Sequence, residues 1–337
     1  MNIQPHGETG VKCSATERRY RERTERRRER AAHLSGFWAE TGGDWLKIDD
    51  RARFVDHARR RGLVEEAEHL ATADVPGAAF FEKVIGSRDF LSADFLTKGE
   101  RVARAVGRVA HYPLGFGTGF MVSPQVMMTN NHVLGTPQAA SNGKLQFDYV
   151  ERDGGSIGPV IEFDLEPRRL FLTHVGLDFS LVAVKPVNAD AHLVARRGFI
   201  PLIGPSGKAL VGQPINVIQH PQGRPQEVAL RNNAVVDVFD HFLHYSTDTQ
   251  GGSSGSPCFS DHWELAALHH SGVPARDDDG HILLTTGDRW DGRRETIPVI
   301  AWKANEGIRI SSIVSYLQEH REDLAGEARE LLDEVLQ

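Results

Sequence analysis

Acyl transfer by a serine needs a hydroxyl beside a general base, an acid that holds the base in one tautomer, and N–H donors facing the developing oxyanion. The stretch 247-TDTQGGSSGSPCF-259 offers two hydroxyls for that work, Ser253 and Ser254, in overlapping patterns. Read as G-x-S-x-G, 251-GGSSG-255 centres on Ser253; read as G-x-S-G-S-P, 252-GSSGSP-257 makes Ser254 the reactive residue. A base candidate, His132, emerges in 126-VMMTNNHVLG-135, where a short apolar strand runs out into Thr-Asn-Asn. An acid candidate, Asp178, stands directly before the apolar run of 177-LDFSLVAVKP-186, where an orienting carboxylate can be buried. A backbone amide faces an oxyanion only if the chain turns sharply before the serine, which Gly251 and Gly252 permit. Gly255 and Ser256 leave little bulk behind the nucleophile.

The elements around these residues decide between the serines. Short β-rich runs such as 119-GFMVS-123, 126-VMMT-129, 179-FSLVAV-184, 215-INVIQH-220, 234-AVVDVF-239 and 295-ETIPVI-300 alternate with turn clusters such as 135-GTPQ-138, 152-RDGGS-156, 204-GPSG-207 and 221-PQGRP-225. Many short strands between Gly/Pro/Asn/Asp turns predict a mainly β barrel or sandwich. The strand–serine–helix elbow that G-x-S-x-G serves in α/β-hydrolases needs a helix after Ser253. The chain instead continues through 254-SGSPCFS-260 into 263-WELAALHHSGV-273, two strands and a turn. That fold's serine–acid–histidine order could draw on Asp277 and His281, but 276-RDDDGH-281 reads as an acidic hairpin tip. Ser254 is therefore the expected nucleophile.

Residues 1–84 have a different texture and predict a helical N-terminal region. A charged run at 14–34 has Glu17/Arg21 and Glu22/Arg26 at helical spacing, which predicts an exposed helix or one docked on a partner. A better helix covers 49-DDRARFVDHARRRG-62, with Asp49 or Asp50 as cap, Phe54, Val55 and Ala58 on one face, and Gly62 as stop. A short helix over 63–73 comes next. At the far end 311-SSIVSYLQEH-320 predicts a helix stacking Ile313 and Leu317, and 322–337 an acidic helix.

Taken together, 117-GTGFMVS-123, 129-TNNHV-133, 178-DFSLVAV-184 and 252-GSSGSP-257 resemble the trypsin-like (chymotrypsin-fold) serine peptidases, most closely the bacterial branch that includes the glutamyl endopeptidases. The resemblance covers about residues 100–315. It implies two six-stranded Greek-key β-barrels, with the first at about 100–190 and the second at about 200–310, inside a peptidase domain at 85–320 that precedes the C-terminal helix at 321–337. It further implies a serine endopeptidase with His132 as general base, Asp178 as its orienter and Ser254 as nucleophile, and with Gly252 and Ser254 supplying oxyanion N–H groups. The alternative is a catalytically silent barrel that binds peptides or proteins.

Two departures from trypsin fit the bacterial branch. Ser253 stands where trypsin has the aspartate that pairs with a newly released N-terminus, and a multi-disulfide set is missing, since only Cys13 and Cys258 are present. The substrate pocket carries conflicting signals. Asp248 occupies the position at the base of trypsin's pocket, whereas His269 aligns with the histidine by which glutamyl endopeptidases hold a substrate glutamate. His270, its neighbour on the strand, is expected to point away. With Ser271 and Gly272 it belongs to 270-HSGV-273, the strand edge against which a substrate backbone would pair.

Composition bounds the rest. The 337 residues carry a net charge of −7 with 25% charged and 40% hydrophobic side chains, which gives no global reason to bind nucleic acid or a membrane surface. No apolar run long enough to span a bilayer and no secretory leader are visible, so a cytoplasmic location is expected. The expected partners are a protein or peptide substrate and a protein that the N-terminal helices recruit or sense. No cofactor or metal is expected: Cys and His lack zinc spacing, 277-DDDG-280 falls short of a calcium loop, and 115-GFGTGF-120 lacks the helix and lysine of a phosphate loop.

Overall fold

The computed structural model describes residues 49–72, 91–111, 115–230, 233–246, 253–277, 279–290 and 301–337. The charged run at 14–34 and the segment 295–300 lie outside them. Two antiparallel sheets of seven strands dominate. The first contains β1 (Val106–His111), β2 (Gly115–Met121), β3 (Val126–Thr129), β4 (Gly143–Phe147), β5 (Ile161–Asp164), β6 (Phe171–His174) and β7 (Phe179–Ala183), in the order β5-β4-β1-β2-β3-β7-β6. The second contains β8 (Asn216–Gln219), β9 (Glu227–Ala229), β10 (Ala234–Val238), β11 (Phe242–Ser246), β12 (Pro257–Phe259), β13 (Leu265–Pro274) and β14 (Trp302–Arg309), in the order β10-β11-β14-β13-β12-β8-β9.

The seven-strand count reconciles with six per barrel once closure is considered. β5 and β6 sit at opposite edges of the first sheet, yet the chain between them bridges Leu165 to Val184, the residue directly after β7, with which β6 pairs. They act as two halves of one closing strand, broken at 166–170. In the second sheet β9 and β10 occupy the two edges in the same way, and the Pro214–Ala234 bridge ties β10 to the segment entering β8. The architecture is the double β-barrel of the chymotrypsin-like class.

The core forms two clusters, the first of which also takes in Ile218, Phe259, Leu268 and Ile308 of the second sheet, and helices complete both. Phe120, Met127, Phe163, Phe179 and Leu181 fill the first, which continues into α4 (Ile310–Glu319) through Ile313 and Leu317 and into α5 (Gly326–Leu336) through Leu331, Leu332 and Val335. The second core joins Val217, Val235, Tyr245 and Ala267 to side chains of α1 (Arg51–Arg60) and α2 (Val64–Thr72). Phe54, Val55 and Ala58, the predicted apolar face, are buried there together with Ala67 and Leu70.

The docking is specific as well as apolar. Asp50 caps α1 by accepting from the Ala52 N–H at 2.7 Å, while Asp49 accepts from the Val211 N–H at 2.9 Å. The His57 ring meets the Gly207 carbonyl at 2.8 Å, and a Cβ at Gly207 would collide with the backbone of that helix. Residues 49–72 thus complete the second barrel's core. A further helix, α3 (Asp94–Ala103), is anchored where Trp263 Nε1–H donates to the Phe95 carbonyl at 2.8 Å.

Candidate active site

Asp178 and His132 meet at the mouth of the first barrel because β3 and β7 are adjacent and in register, Thr129 opposite Ser180. His132 lies three residues beyond β3 and Asp178 immediately precedes β7. Asp178 Oδ1 accepts the His132 backbone N–H at 3.0 Å, and Oδ2 lies 2.7 Å from His132 Nδ1. With the carboxylate ionised, Nδ1 carries the proton and Nε2 presents a lone pair. Asn130 Nδ2 donates to the Asp178 carbonyl at 2.9 Å, which locks the two turns together.

Asp178 itself adopts φ +44°, a left-handed conformation that L residues rarely occupy. Its carboxylate is buried, and burial alone would raise its pKa. Hydrogen bonds and charge from His132 and His270 win, and hold it well below the usual carboxylate range.

The serine turn is fastened from both barrels. The Thr118 N–H of β2 donates to the Ser254 carbonyl at 2.9 Å. The Gly255 N–H donates to the His269 carbonyl at 3.0 Å, and the His269 N–H returns to the Ser256 carbonyl at 2.9 Å. Gly255 has φ +86°, and a Cβ there would overlap the Thr118 carbonyl oxygen and Thr129 Oγ1, so only glycine fits.

Gly117 shows how the histidine and serine turns converge. A Cβ on it would stand 2.8 Å from Val133, next to His132, and 3.4 Å from the Ser254 carbonyl oxygen. Of the two serines, Ser253 is fully buried, while Ser254 is partly exposed. The acidic tip that could have served the competing serine is engaged elsewhere: Arg289 pairs with Asp277 and Asp279, and His281 lies 3.5 Å from Asp277.

The remaining predicted residues divide. Asp248, Gly251 and Gly252 lie outside the described residues. His269 is buried, with Nδ1 2.6 Å from the Tyr245 hydroxyl. Burial pushes the Tyr245 phenol well above its ordinary pKa, so it stays protonated, and its hydroxyl also lies 3.2 Å from Cys258 Sγ. Burial also lowers His269 to about 3, so the ring is neutral. Ser271 and Gly272 are half-buried, and pairing of β12 with β13 ends at Leu268, so among the described residues the strand pairing of 271–273 is with β14.

His270 faces the first barrel. Its Nδ1 lies 2.7 Å from Asp178 Oδ2 and its Nε2 lies 3.0 Å from Glu306 Oε1, while Glu306 Oε2 lies 2.9 Å from His244 Nε2. Glu306 and His244 escaped the sequence reading. A histidine amid apolar strand residues in 242-FLHYS-246 was the available signal, but its pairing with Glu306 depends on the register of β11 with β14.

His132, Asp178 and His270 bring ligand-type atoms within 4.8 Å of one another. Both Nδ1 atoms already lie on the same oxygen, Asp178 Oδ2, so a cation would have to displace both hydrogen bonds. Among the described residues, no helix is long and apolar enough to cross a membrane.

The site thus sets a His–Asp pair beside a serine turn where the two barrels meet, and part of this chain is similar to known proteins. The family described as trypsin-like peptidase domain matches residues 117–268, the span from Gly117 to the strand carrying His269. An uncharacterised protein of Sinorhizobium fredii, y4fB, is 36% identical over 280 residues, covering 76% of this chain and 42% of its own length. A secreted RxLR effector protein of Plasmopara viticola is 28% identical over 202 residues, covering 52% of this chain and 46% of its own length. The chain therefore spans less than half of either curated relative. Among solved structures, a Glu endopeptidase is similar with TM-score 0.43 and 14% identity, covering 66% of this chain and 94% of its own. The Rv3671c protease in an inactive form is similar with TM-score 0.40 and 15% identity, covering 66% and 91%.

Proposed function

We propose that this domain is a serine endopeptidase that cleaves peptide bonds through an acyl-enzyme. The observation that carries the reading is the His132–Asp178 pair, with its free Nε2 lone pair, beside a glycine-dependent turn that presents Ser254 and buries Ser253. Ser254 Oγ attacks the substrate carbonyl while His132 Nε2 takes its proton. The oxyanion rests on N–H groups of the serine turn, those of Gly252 and Ser254. The imidazolium then gives its proton to the leaving amine, and a water activated by His132 hydrolyses the ester. Asp178 stays ionised throughout and stabilises the imidazolium.

His269 adds a preference. With the Tyr245 hydroxyl donating to Nδ1, the neutral ring carries its proton on Nε2 and offers a donor and no positive charge, which suits a carboxylate or amide side chain and gives Lys or Arg no counter-charge. The glutamyl-endopeptidase type of specificity results, with glutamate or glutamine before the scissile bond. Digestion of a peptide library tests both parts. Cleavage after Glu and Gln that disappears in Ser254→Ala supports the reading. Cleavage after Lys or Arg would assign the pocket to Asp248 instead. No cleavage at all by the wild-type chain would leave the silent peptide-binding barrel as the better account.

A further inference from the structure

His270 is placed between two buried carboxylates, Asp178 on one ring nitrogen and Glu306 on the other. A neutral imidazole has one N–H donor and one acceptor, so it cannot satisfy two carboxylates. Either the ring carries both protons or one carboxyl group is protonated. Asp178 already accepts two donors from His132, which leaves its oxygens no use for a proton of their own. Glu306 is fully buried and its second oxygen meets His244. Two carboxylates flanking a neutral ring in so dry a place would be very costly, and a cation between them offsets that cost.

We infer that His270 is a positioning residue: a permanently protonated imidazolium that shares Asp178 Oδ2 with His132 and is itself held by Glu306, whose other oxygen meets His244. This rests on the peptidase reading for its catalytic consequence, though not for its charge. The chain His132–Asp178–His270–Glu306–His244 crosses from the first barrel into the second. It therefore ties the acid that aligns the base to the barrel that carries Ser254. The fold makes room for it by a register shift of β13 against β14 between His269 and Ser271, while Glu306 and His244 are direct cross-strand partners.

The titratable groups around the ring are Asp178 from the segment before β7, Glu306 from β14, His269 on its own strand, and His132 and His244 beyond the two carboxylates. Burial works against the cation, but the hydrogen bonds to Asp178 and Glu306 and their charges outweigh it, and His270 is raised above the ordinary histidine value.

Ring nitrogen NMR of the histidine-labelled protein from pH 5 to pH 9 tests the charge directly. The expected spectrum has both His270 nitrogens protonated across that range; a neutral ring with one bare nitrogen at pH 7 would overturn the inference. The second arm uses Glu306→Gln, which keeps the shape of the side chain and removes the counter-charge. The His270 proton should then be lost within the same range, and the neighbouring cation no longer repels a proton arriving on His132. The acidic limb of the pH profile for fluorophosphonate inactivation should move up by about one pH unit. A slower rate with the limb unmoved would reduce Glu306 and His270 to packing and refute the positioning role. The ring spectrum needs no reactive serine. Failure of the wild-type protein to label would refute the peptidase reading, while the spectrum still decides the charge on His270.

Discussion

Replacing Gly255 with alanine should damage both the stability of the domain and the reactivity of Ser254, and the structure sets the size of each effect. The added methyl must live at φ +86° and occupy space already filled by the Thr118 carbonyl oxygen and Thr129 Oγ1. The left-handed backbone alone costs an L residue about 1–2 kcal/mol. To relieve the overlap, the turn must back away from β2. That stretches the Thr118 N–H bond to the Ser254 carbonyl at 2.9 Å and the Thr129 hydroxyl bond to the Thr118 carbonyl at 2.7 Å. Each hydrogen bond contributes about 1 kcal/mol net, so the whole loss should be about 3–4 kcal/mol. A retreat of the serine turn by about 1 Å should slow acylation roughly 100-fold. Urea denaturation measures the first quantity, and the second-order rate of fluorophosphonate labelling of the folded variant measures the second. A Gly255→Ala protein within about 0.5 kcal/mol of wild type and labelled at an equal rate would refute this account of the turn.

Three other outcomes rest on the same geometry. Phe54→Ala should lower unfolding stability by about 3–5 kcal/mol in denaturant titrations, because that ring fills the second barrel's core; a surface-like change would deny that α1 belongs to the core. Gly117→Ala should press on Val133 and displace the adjoining His132, lowering kcat/KM about tenfold or more with little change in stability; unchanged kinetics would contradict the contact. Stability should fall as pH drops from about 6.5 towards 4. Burial lowers His57 and His220 from 6.5 to about 4, so in that window the unfolded chain binds more protons, and each group contributes roughly 3 kcal/mol that is present above the unfolded value and lost on acidification. Thermal melts across this range check it, and His57→Gln should flatten the slope.

A mainly β barrel or sandwich and the members of the candidate site could be read from the sequence for different physical reasons. β3 matches the predicted 126–129 run because consecutive apolar residues, Val126 to Met128, ended by Thr-Asn-Asn have few other uses. Ser254 could be preferred over Ser253 from the segments downstream, since Pro257–Phe259 and Leu265–Pro274 are strands where an elbow would need a helix. The amphipathic face of α1 was equally readable, but a face does not name its partner. That Phe54 and Leu70 complete the second barrel's core depends on residues roughly 150 or more positions away, which no local pattern encodes.

The buried chain behind Asp178 was illegible for a related reason. Alternation along a strand does turn His270 away from His269, but only the bulge in β13 and the register of three strands bring it onto Asp178 and Glu306. A lone Glu in 302-WKANEGIR-309 gives no sign that it is fully buried, because its compensation comes from histidines on two other strands.

The measurement that bears most directly on the central claim is the site of covalent labelling by a fluorophosphonate, mapped by mass spectrometry on the peptide spanning Ser253 and Ser254. The account predicts one adduct, on Ser254, abolished in Ser254→Ala and strongly reduced in His132→Ala and Asp178→Asn, with Ser253→Ala still labelled. An adduct on Ser253, or labelling that persists in Ser254→Ala, would contradict it.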